Sequence, residues 1–211
     1  MWTRILARQL SHPSNLVGQL VLGPLWNQRN VALNDAAFEC LALKPNDRVL
    51  EVGFGGGYLL GRMAAVVSAG FLAGVDASPA MVALCEKRHR RLVREGKLEL
   101  RCAGAEALPY PSGYFTKACS VNSIFYWQNA AQAIAELWRV VADGGMLVLC
   151  FTCKHSLEDK AFTKYGMTLY KVDAVQQMME AAGFQQVRMI NARDKHREFV
   201  CAVGGKARFS N

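Results

Sequence analysis

The sequence predicts an α/β protein with a Rossmann-like, seven-stranded, mostly parallel sheet, an antiparallel C-terminal hairpin, helices on both faces and an N-terminal helical cap. Three observations predict this fold. From Arg48 onward, short apolar runs alternate with longer stretches of helical periodicity. A glycine cluster directly follows the first apolar run. The last two predicted strands are joined by a turn too short for a crossover, so they must be antiparallel.

Three strands and the helices between them form the first half of the predicted sheet. The run RVLEV lies between the turn at 44–47 and the glycine cluster, so it is a strand bounded on both sides. Ser78 and Pro79 have the residue types of a helix N-cap and first helical position. The predicted order is strand 48–52, helix 58–68, strand 70–75, helix 79–94 and strand 97–101.

Turn residues delimit the second half in the same way. Asp143-Gly144-Gly145 precedes the fifth strand, Gly183 ends the last helix, and a short turn around Asn191 joins the final two strands. The predicted order is strand 116–121, helix 130–141, strand 146–151, helix 171–182, and strands 184–190 and 196–203.

The length and composition favour one structural domain. The chain has 211 residues, of which 52% are hydrophobic, and this suits a single ordered core. Residues 1–43 do not follow the strand and helix rhythm, and we expect them to form a helical cap on the carboxyl edge of the sheet in 44–211. Seven cysteines, mostly in apolar runs, indicate a reducing compartment. With no secretory apolar segment and no run of about 20 apolar residues, we expect a cytoplasmic protein.

The glycine cluster and an acid on the second strand predict a nucleoside site. Glycines at 53, 55, 56 and 57 follow a buried strand and open a helix, so a ligand can approach the backbone closely. Tyr58 occupies the place of the third glycine of a dinucleotide fingerprint, and Glu51 is a poor neighbour for a diphosphate. Asp76 ends the second strand, where a carboxylate can accept both ribose hydroxyls. The alternative is a tight turn next to a helix cap.

Four segments in order resemble a known family, the class I S-adenosylmethionine-dependent methyltransferases, in particular the small type 11 branch that acts on small molecules. VLEVGFGGG (49–57) is similar to its glycine motif and GVDASPAM (74–81) to its ribose-binding strand end. AGAEALPYPSGYF (103–115) is similar to its adenine loop and RVVADGGMLVL (139–149) to the segment that leads into its fifth strand. The resemblance covers about residues 44–203.

The resemblance implies S-adenosylmethionine as cofactor and a role for each matching residue. Glu51 would lie by the amino group of the donor and Asp76 would bind its ribose. The other implied contacts are Gly53, Phe54 and Gly55 with the methionine part, Ala77 and Met81 with adenine, Gly104, Ala105 and Glu106 in the adenine loop, and Asn122 under the methionyl group. The family usually has an aspartate where this chain has Gly104, so Glu106 or a backbone carbonyl takes over, or adenine is held less specifically.

Residues around the methyl acceptor are predicted from the loops after strands four and five and from the cap. Phe125 and Tyr126 would form a wall for a flat or apolar acceptor, or would instead anchor the next helix to the sheet. His155 is the candidate catalytic base, the alternative being an exposed loop histidine. Trp26 and Asn30 of the cap would close over the substrate, unless Trp26 belongs to the core.

Two further features have ordinary explanations. The basic run at 87–91, with Arg94, is typical of a solvated helix face away from the cleft, although RNA or an anionic membrane surface could dock there. Cys150 and Cys153 form a C-x-x-C without a second pair, so we predict no metal site.

The sequence therefore predicts a methyltransferase that uses S-adenosylmethionine to methylate a small-molecule acceptor by in-line displacement. The net charge of +8 leaves an RNA or protein methyltransferase as an alternative. No N-P-P-Y-like tetrapeptide follows the fourth strand, so we expect no nucleic-acid partner. The same residues are also compatible with a non-catalytic nucleoside-binding module or with an NAD-dependent oxidoreductase.

Overall fold

A computed structural model describes residues 30–164 and 166–208, apart from the side chain of Phe162. The helices are α1 (Val31–Leu41), α2 (Tyr58–Ala64), α3 (Pro79–Arg88), α4 (Arg90–Arg94), α5 (Ala130–Val140) and α6 (Val172–Ala181). The strands are β1 (Arg48–Val52), β2 (Phe71–Asp76), β3 (Leu98–Cys102), β4 (Phe115–Val121), β5 (Val141–Thr152), β6 (Gln185–Arg193) and β7 (Glu198–Gly205). Short 3₁₀ turns occupy Ile124–Tyr126, Lys154–Ser156 and Ala161–Lys164.

The seven strands form one sheet in the order β3-β2-β1-β4-β5-β7-β6. The pairs within β1 to β5 are parallel, whereas β7 is antiparallel to both β5 and β6. The predicted fold is therefore confirmed, including its terminal hairpin. The chain runs outward in one direction from β1 and in the other from β4, so a crevice opens between the carboxyl ends of these two neighbouring strands.

Alternating side chains on the strands divide the core into two layers. Leu50 and Leu147 face one layer, which contains α5 and α6 residues such as Ile134. Val49 and Val148 face the other layer, which contains residues of α1, α2 and α3. This alternation is the two-residue period of an extended chain, and it places helices on both faces of the sheet.

Helix α1 is the described part of the predicted cap, and it packs on a face of the sheet. Leu33 and Ala37 are fully buried with the strand residues of that layer. The buried Lys117 of β4 donates from Nζ to the carbonyls of Leu41 and, at 2.6 Å, Ala42. The same Nζ lies 3.3 Å from Asp47 Oδ2, so the ammonium satisfies the C-terminal carbonyls of α1 and is itself paired.

The hairpin turn lies elsewhere than predicted. Asn191 is inside β6 and pairs with Val200, so the expected turn there is wrong. The chain reverses a few residues later, where Asp194 Oδ1 accepts the backbone N–H of His196 at 2.7 Å and of Arg197 at 3.0 Å. An aspartate bonding to the backbone ahead of it is an ordinary turn-forming device.

Two helices and one strand also differ in their limits. The helix predicted to run to Ser68 ends at Ala64, and the one predicted over 79–94 is broken at His89, where φ is −108° and ψ is 25°. The turn expected at 143–145 lies within β5, which begins at Val141. Gly144 there donates its N–H to the carbonyl of Lys206 at 2.9 Å, so the turn residues are drawn into the sheet.

Candidate active site

The glycine loop after β1 is fastened to the end of β2. Gly53 donates its N–H to the Val75 carbonyl at 2.7 Å, and Gly55 donates to Asp76 Oδ2 at 2.9 Å. A Cβ added to Gly55 would meet nothing within 4 Å, although φ there is +50°. Open space therefore lies in front of this part of the loop, and a ligand can reach its backbone.

Asp76 stands in this same cleft. Its Oδ1 accepts the backbone N–H of Ser78 at 2.9 Å, while Oδ2 holds Gly55. The Ser78 side chain makes no cap hydrogen bond, so the helix start differs in detail from the predicted N-cap. Partial burial raises the pKa of the Asp76 carboxyl. Each carboxylate oxygen can accept more than one hydrogen bond, so both remain able to receive ligand hydroxyls.

Glu51 is a buried acid beside the loop. Its side chain is only 2% exposed, and Oε2 has no hydrogen-bond partner among the described residues. Burial, followed by the negative charge of Asp76, raises the pKa of Glu51 to about 8. A buried polar oxygen without a partner is uncommon in folded proteins. This oxygen could accept a hydrogen bond from a cationic or other donor group of a ligand.

The predicted adenine loop is organised by Glu106. Its Oε1 accepts the backbone N–H of Gln128 at 2.7 Å and of Asn129 at 3.2 Å, so the carboxylate holds the segment that enters α5. A Cβ on Gly104 would lie 3.1 Å from Glu106 Oε2. Ala105 is buried in the core beneath the loop. Glu106 therefore already has backbone partners in the position where the sequence suggested an adenine contact.

The two residues proposed to pack against adenine follow β2. Ala77 is exposed directly after Asp76. Met81, on the first turn of α3, is 8% exposed and packs with the core layer that contains α2. Phe54 is 4% exposed in that same layer, so only its backbone is available to the cleft.

Asn122 joins several elements at the carboxyl ends of β4 and β5. Its Oδ1 accepts the Thr152 N–H at 3.1 Å and hydroxyl at 3.0 Å, and its Nδ2 donates to Asn30 Oδ1 at 3.2 Å. Arg197 Nη2, from the β6–β7 turn, donates to the same Asn30 oxygen at 2.7 Å. Sequence reasoning missed Thr152 and Arg197, although Thr152 ends its strand as Asp76 does.

The aromatic loop after β4 is mostly buried. Phe125 is 2% exposed and belongs to the core layer that contains α5, which favours an anchoring role. Tyr126 is partly exposed, and burial raises the pKa of its phenol to about 12. Trp26 lies outside the described residues.

His155 lies at the surface beyond β5. Its Nε2 is 3.0 Å from Glu198 Oε2, and the two side chains are 61% and 57% exposed. A shallow cavity of about 290 Å³ adjoins them, lined by Cys153, Lys154, His155, Glu158, Lys171 and Val172. The pair has the arrangement of a base oriented by a carboxylate.

Two residues of the basic run contact the glycine loop, which the prediction did not foresee. Arg88 Nη1 donates to the Gly56 carbonyl, and His89 Nε2 lies 2.8 Å from the Gly57 carbonyl oxygen. The solvated-face interpretation is wrong for His89, which is half-buried at the helix break, whereas Arg88 is exposed as predicted although its guanidinium contacts the loop. Neighbours such as Lys87 and Arg90 are exposed, as predicted.

The C-x-x-C cysteines do not share a site. Cys150 Sγ lies 2.9 Å from Cys201 Sγ on the facing strand, and Cys153 is buried at the end of β5. Across residues 30–164 and 166–208, no three His, Cys, Asp or Glu side chains are grouped to hold a metal ion. No helix in these ranges is both long and apolar enough to cross a membrane.

Known proteins share both the sequence pattern and the fold. A family described as a methyltransferase domain matches residues 50–149. The uncharacterized methyltransferase YdaC of Bacillus subtilis is 27% identical over 187 residues, or 89% of this chain and 98% of the relative. The ubiquinone/menaquinone biosynthesis C-methyltransferase UbiE of Shewanella pealeana is 27% identical over 184 residues, with 74% and 73% covered. A solved SAM-dependent methyltransferase from Aquifex aeolicus superposes with a TM-score of 0.67 at 20% identity, covering 81% and 88% of the two chains.

Proposed function

The chain belongs to the class I S-adenosylmethionine-dependent methyltransferases, and from this premise we propose that it binds S-adenosylmethionine in the β1–β4 crevice and methylates a small-molecule acceptor. One observation carries the proposal. A buried acid with an unsatisfied oxygen, Glu51, lies beside a glycine loop that faces open space and is bonded to Asp76. These features together suit a ligand that has a cationic amino group at one end and a ribose further along.

The residues of the cleft fit such a donor. Glu51 would bind its amino group, Gly53 and Gly55 its methionine backbone, and Asp76 its ribose hydroxyls. Ala77 and Met81 would contact the adenine, and Asn122 would lie by the methionyl portion. When bound, S-adenosylmethionine supplies an electrophilic methyl group on a sulfonium.

The protein's own contribution to transfer is alignment and exclusion of water. Binding both partners in one crevice replaces a bimolecular encounter with a fixed approach geometry. Asn30 is hydrogen-bonded to Asn122, which follows β4, and we propose that Asn30 contributes to closing the site over an acceptor. Trp26, Phe125 and Tyr126 remain candidate acceptor contacts, with the burial of Phe125 favouring a supporting role.

A base is required only if the acceptor must lose a proton. His155 is the candidate, because Glu198 Oε2 lies 3.0 Å from its Nε2 and can orient the imidazole. A thiolate or neutral amine acceptor would not need this pair.

The class of acceptor is supported by the relatives and by size. UbiE is named as a C-methyltransferase of ubiquinone and menaquinone biosynthesis, and we infer a small-molecule acceptor for this chain by similarity. YdaC is matched over 98% of its length, so the size of this chain is that of a methyltransferase relative.

The seven cysteines are free thiols, which is consistent with a cytoplasmic location.

Titration calorimetry with S-adenosylhomocysteine tests the donor site. We expect binding by the wild type, and binding weakened several-fold or more by Asp76→Ala. Glu86→Ala, which removes an exposed acid of α3, is the matched control and should bind normally. No binding at millimolar ligand would exclude the proposed donor.

Acceptor identity needs a separate experiment. The protein is incubated with cell extract and isotope-labelled S-adenosylmethionine, and labelled products are identified by mass spectrometry. Label in a small molecule supports the proposal, and label in RNA or protein supports the alternative. Donor binding without transfer to any acceptor would favour a non-catalytic nucleoside-binding module.

A further inference from the structure

Two consecutive side chains at the C-terminal end of α3 contact two consecutive carbonyls of the glycine loop. Arg88 donates from Nη1 to the Gly56 carbonyl, and His89 Nε2 lies 2.8 Å from the Gly57 carbonyl oxygen. A carbonyl oxygen only accepts hydrogen bonds, so His89 must have its proton on Nε2. We call these two contacts the carbonyl clamp.

The imidazole occupies a groove that two glycines create at the start of α2. A Cβ on Gly57 would lie 3.1 Å from His89 Nε2, and one on Gly61 would lie 2.9 Å from His89 Cε1. Cys85 Sγ would lie 2.4 Å from the same Gly57 Cβ. The imidazole therefore packs against both glycines in addition to its hydrogen bond. A side chain at position 61 would collide with the His89 ring, so glycine is needed there.

The contact between His89 and the glycine loop is made at a break between two helices. His89 ends α3 and precedes α4, with φ −108° and ψ 25° instead of helical values. The His89 side chain is half-buried against the loop, whereas the flanking Arg88 and Arg90 are exposed. His89 therefore differs from its charged neighbours in packing against the glycine loop.

The clamped carbonyls belong to the part of the loop that sets its conformation. Gly57 has φ +70° and is the N-cap of α2, and its carbonyl also accepts the first intrahelical bond from Gly61 at 3.2 Å. Two residues earlier, Gly55 faces open space and is bonded to Asp76. Movement at Gly57 would therefore shift both the helix start and the backbone that faces the ligand.

We propose that His89, assisted by Arg88, is a positioning residue that holds the glycine loop in its donor-binding conformation. This inference rests on the proposed function of the loop as the donor site. His89 does not contact the donor, and its effect is transmitted through the Gly56 and Gly57 carbonyls.

Calorimetry with S-adenosylhomocysteine on a matched set of variants tests the clamp. One hydrogen bond of this kind contributes about 1 kcal/mol, so His89→Ala should weaken binding about five-fold. His89→Gln should bind within about two-fold of wild type, because the glutamine amide N–H occupies roughly the position of Nε2. Arg88→Ala should weaken binding, and the charge-matched Lys87→Ala should not. Equal affinities for His89→Ala, His89→Gln and wild type would overturn the proposal.

A second measurement does not depend on ligand binding, and its NMR part needs only the wild type. Nitrogen-15 NMR of the imidazoles in the unliganded wild type should show His89 as the Nε2–H tautomer. Hydrogen exchange of the Gly61 amide should be faster in His89→Ala than in His89→Gln. An Nδ1–H tautomer overturns the clamp even if the donor binds. If the wild type does not bind S-adenosylhomocysteine, the proposed function fails, whereas the tautomer and exchange data still decide whether the clamp exists.

Discussion

Glu51→Gln should remove a pH-dependent loss of stability from this protein. The Glu51 carboxyl is buried, and its pKa is raised from 4.5 to about 8, first by burial and then by the charge of Asp76. Between these two pH values the native state retains a proton that the unfolded chain has lost. Wild-type stability should therefore fall as pH rises from 4.5 and level off above 8.

The size of this effect follows from the same pKa. At about 1.4 kcal/mol per pH unit, a rise from 4.5 to about 8 corresponds to about 5 kcal/mol when the native group has fully ionised. By pH 7 most of this loss has already occurred, because the unfolded carboxylate is ionised and the native carboxyl is still protonated. A glutamine of the same shape does not titrate, so the variant should escape the loss.

Denaturant unfolding of both proteins from pH 5 to pH 9 measures the difference. Subtracting the wild-type free energy of unfolding from that of Glu51→Gln cancels the contributions of titrating groups that do not interact with Glu51. We expect this difference to grow in favour of the variant up to about pH 8 and then to remain constant. A difference that is independent of pH would show that Glu51 is ionised in the native protein, and the reasoning about its burial would be refuted.

Three other outcomes can be measured. Binding of a ligand that carries an ammonium group should ionise Glu51 and release its proton. Calorimetry of S-adenosylhomocysteine at pH 7, in buffers of different ionisation enthalpy, should therefore report release of close to one proton by the wild type. Glu51→Gln should release almost none. Gly55→Ala should lower the free energy of unfolding by about 1–2 kcal/mol because φ at this position is +50°. The added Cβ should also abolish donor binding, because it enters the space in front of the loop. Normal donor affinity would contradict the placement of the donor there. Lys117→Met should lower the free energy of unfolding by about 3 kcal/mol or more, because Asp47 and two carbonyls at the end of α1 lose the ammonium group that they contact. An unchanged melting temperature would argue against the pairing of Lys117 with Asp47.

Local patterns were sufficient for the sheet and for the centre of the site. A buried strand followed by glycines, and an acid at the end of the next strand, are short-range features. In a parallel sheet the carboxyl ends of neighbouring strands lie at one edge. For this reason Gly55 and Asp76, 21 residues apart, are found in hydrogen-bonding contact as the sequence suggested.

Contacts made between distant segments could not be found in this way. Residue types alone do not show that Arg197 reaches Asn30, 167 positions away, or that Glu106 bonds to the backbone ahead of α5. The hairpin turn was misplaced because Asn191 has turn-forming character, whereas the pairing of β6 with β7 extends past it. Strand pairing satisfies backbone groups cooperatively, and this overrides the preference of a single residue.

The residues alone were enough to predict the fold class, the resemblance to methyltransferases and the proximity of the glycine loop to Asp76. Periodicity and strand-end chemistry are encoded within a few residues, so they can be recognised without coordinates. Only the tertiary structure decided which side chains support the cleft. Whether His89 faces water or the Gly57 carbonyl depends on a helix break and on the room left by Gly61, and residue types alone do not show where either will place the ring.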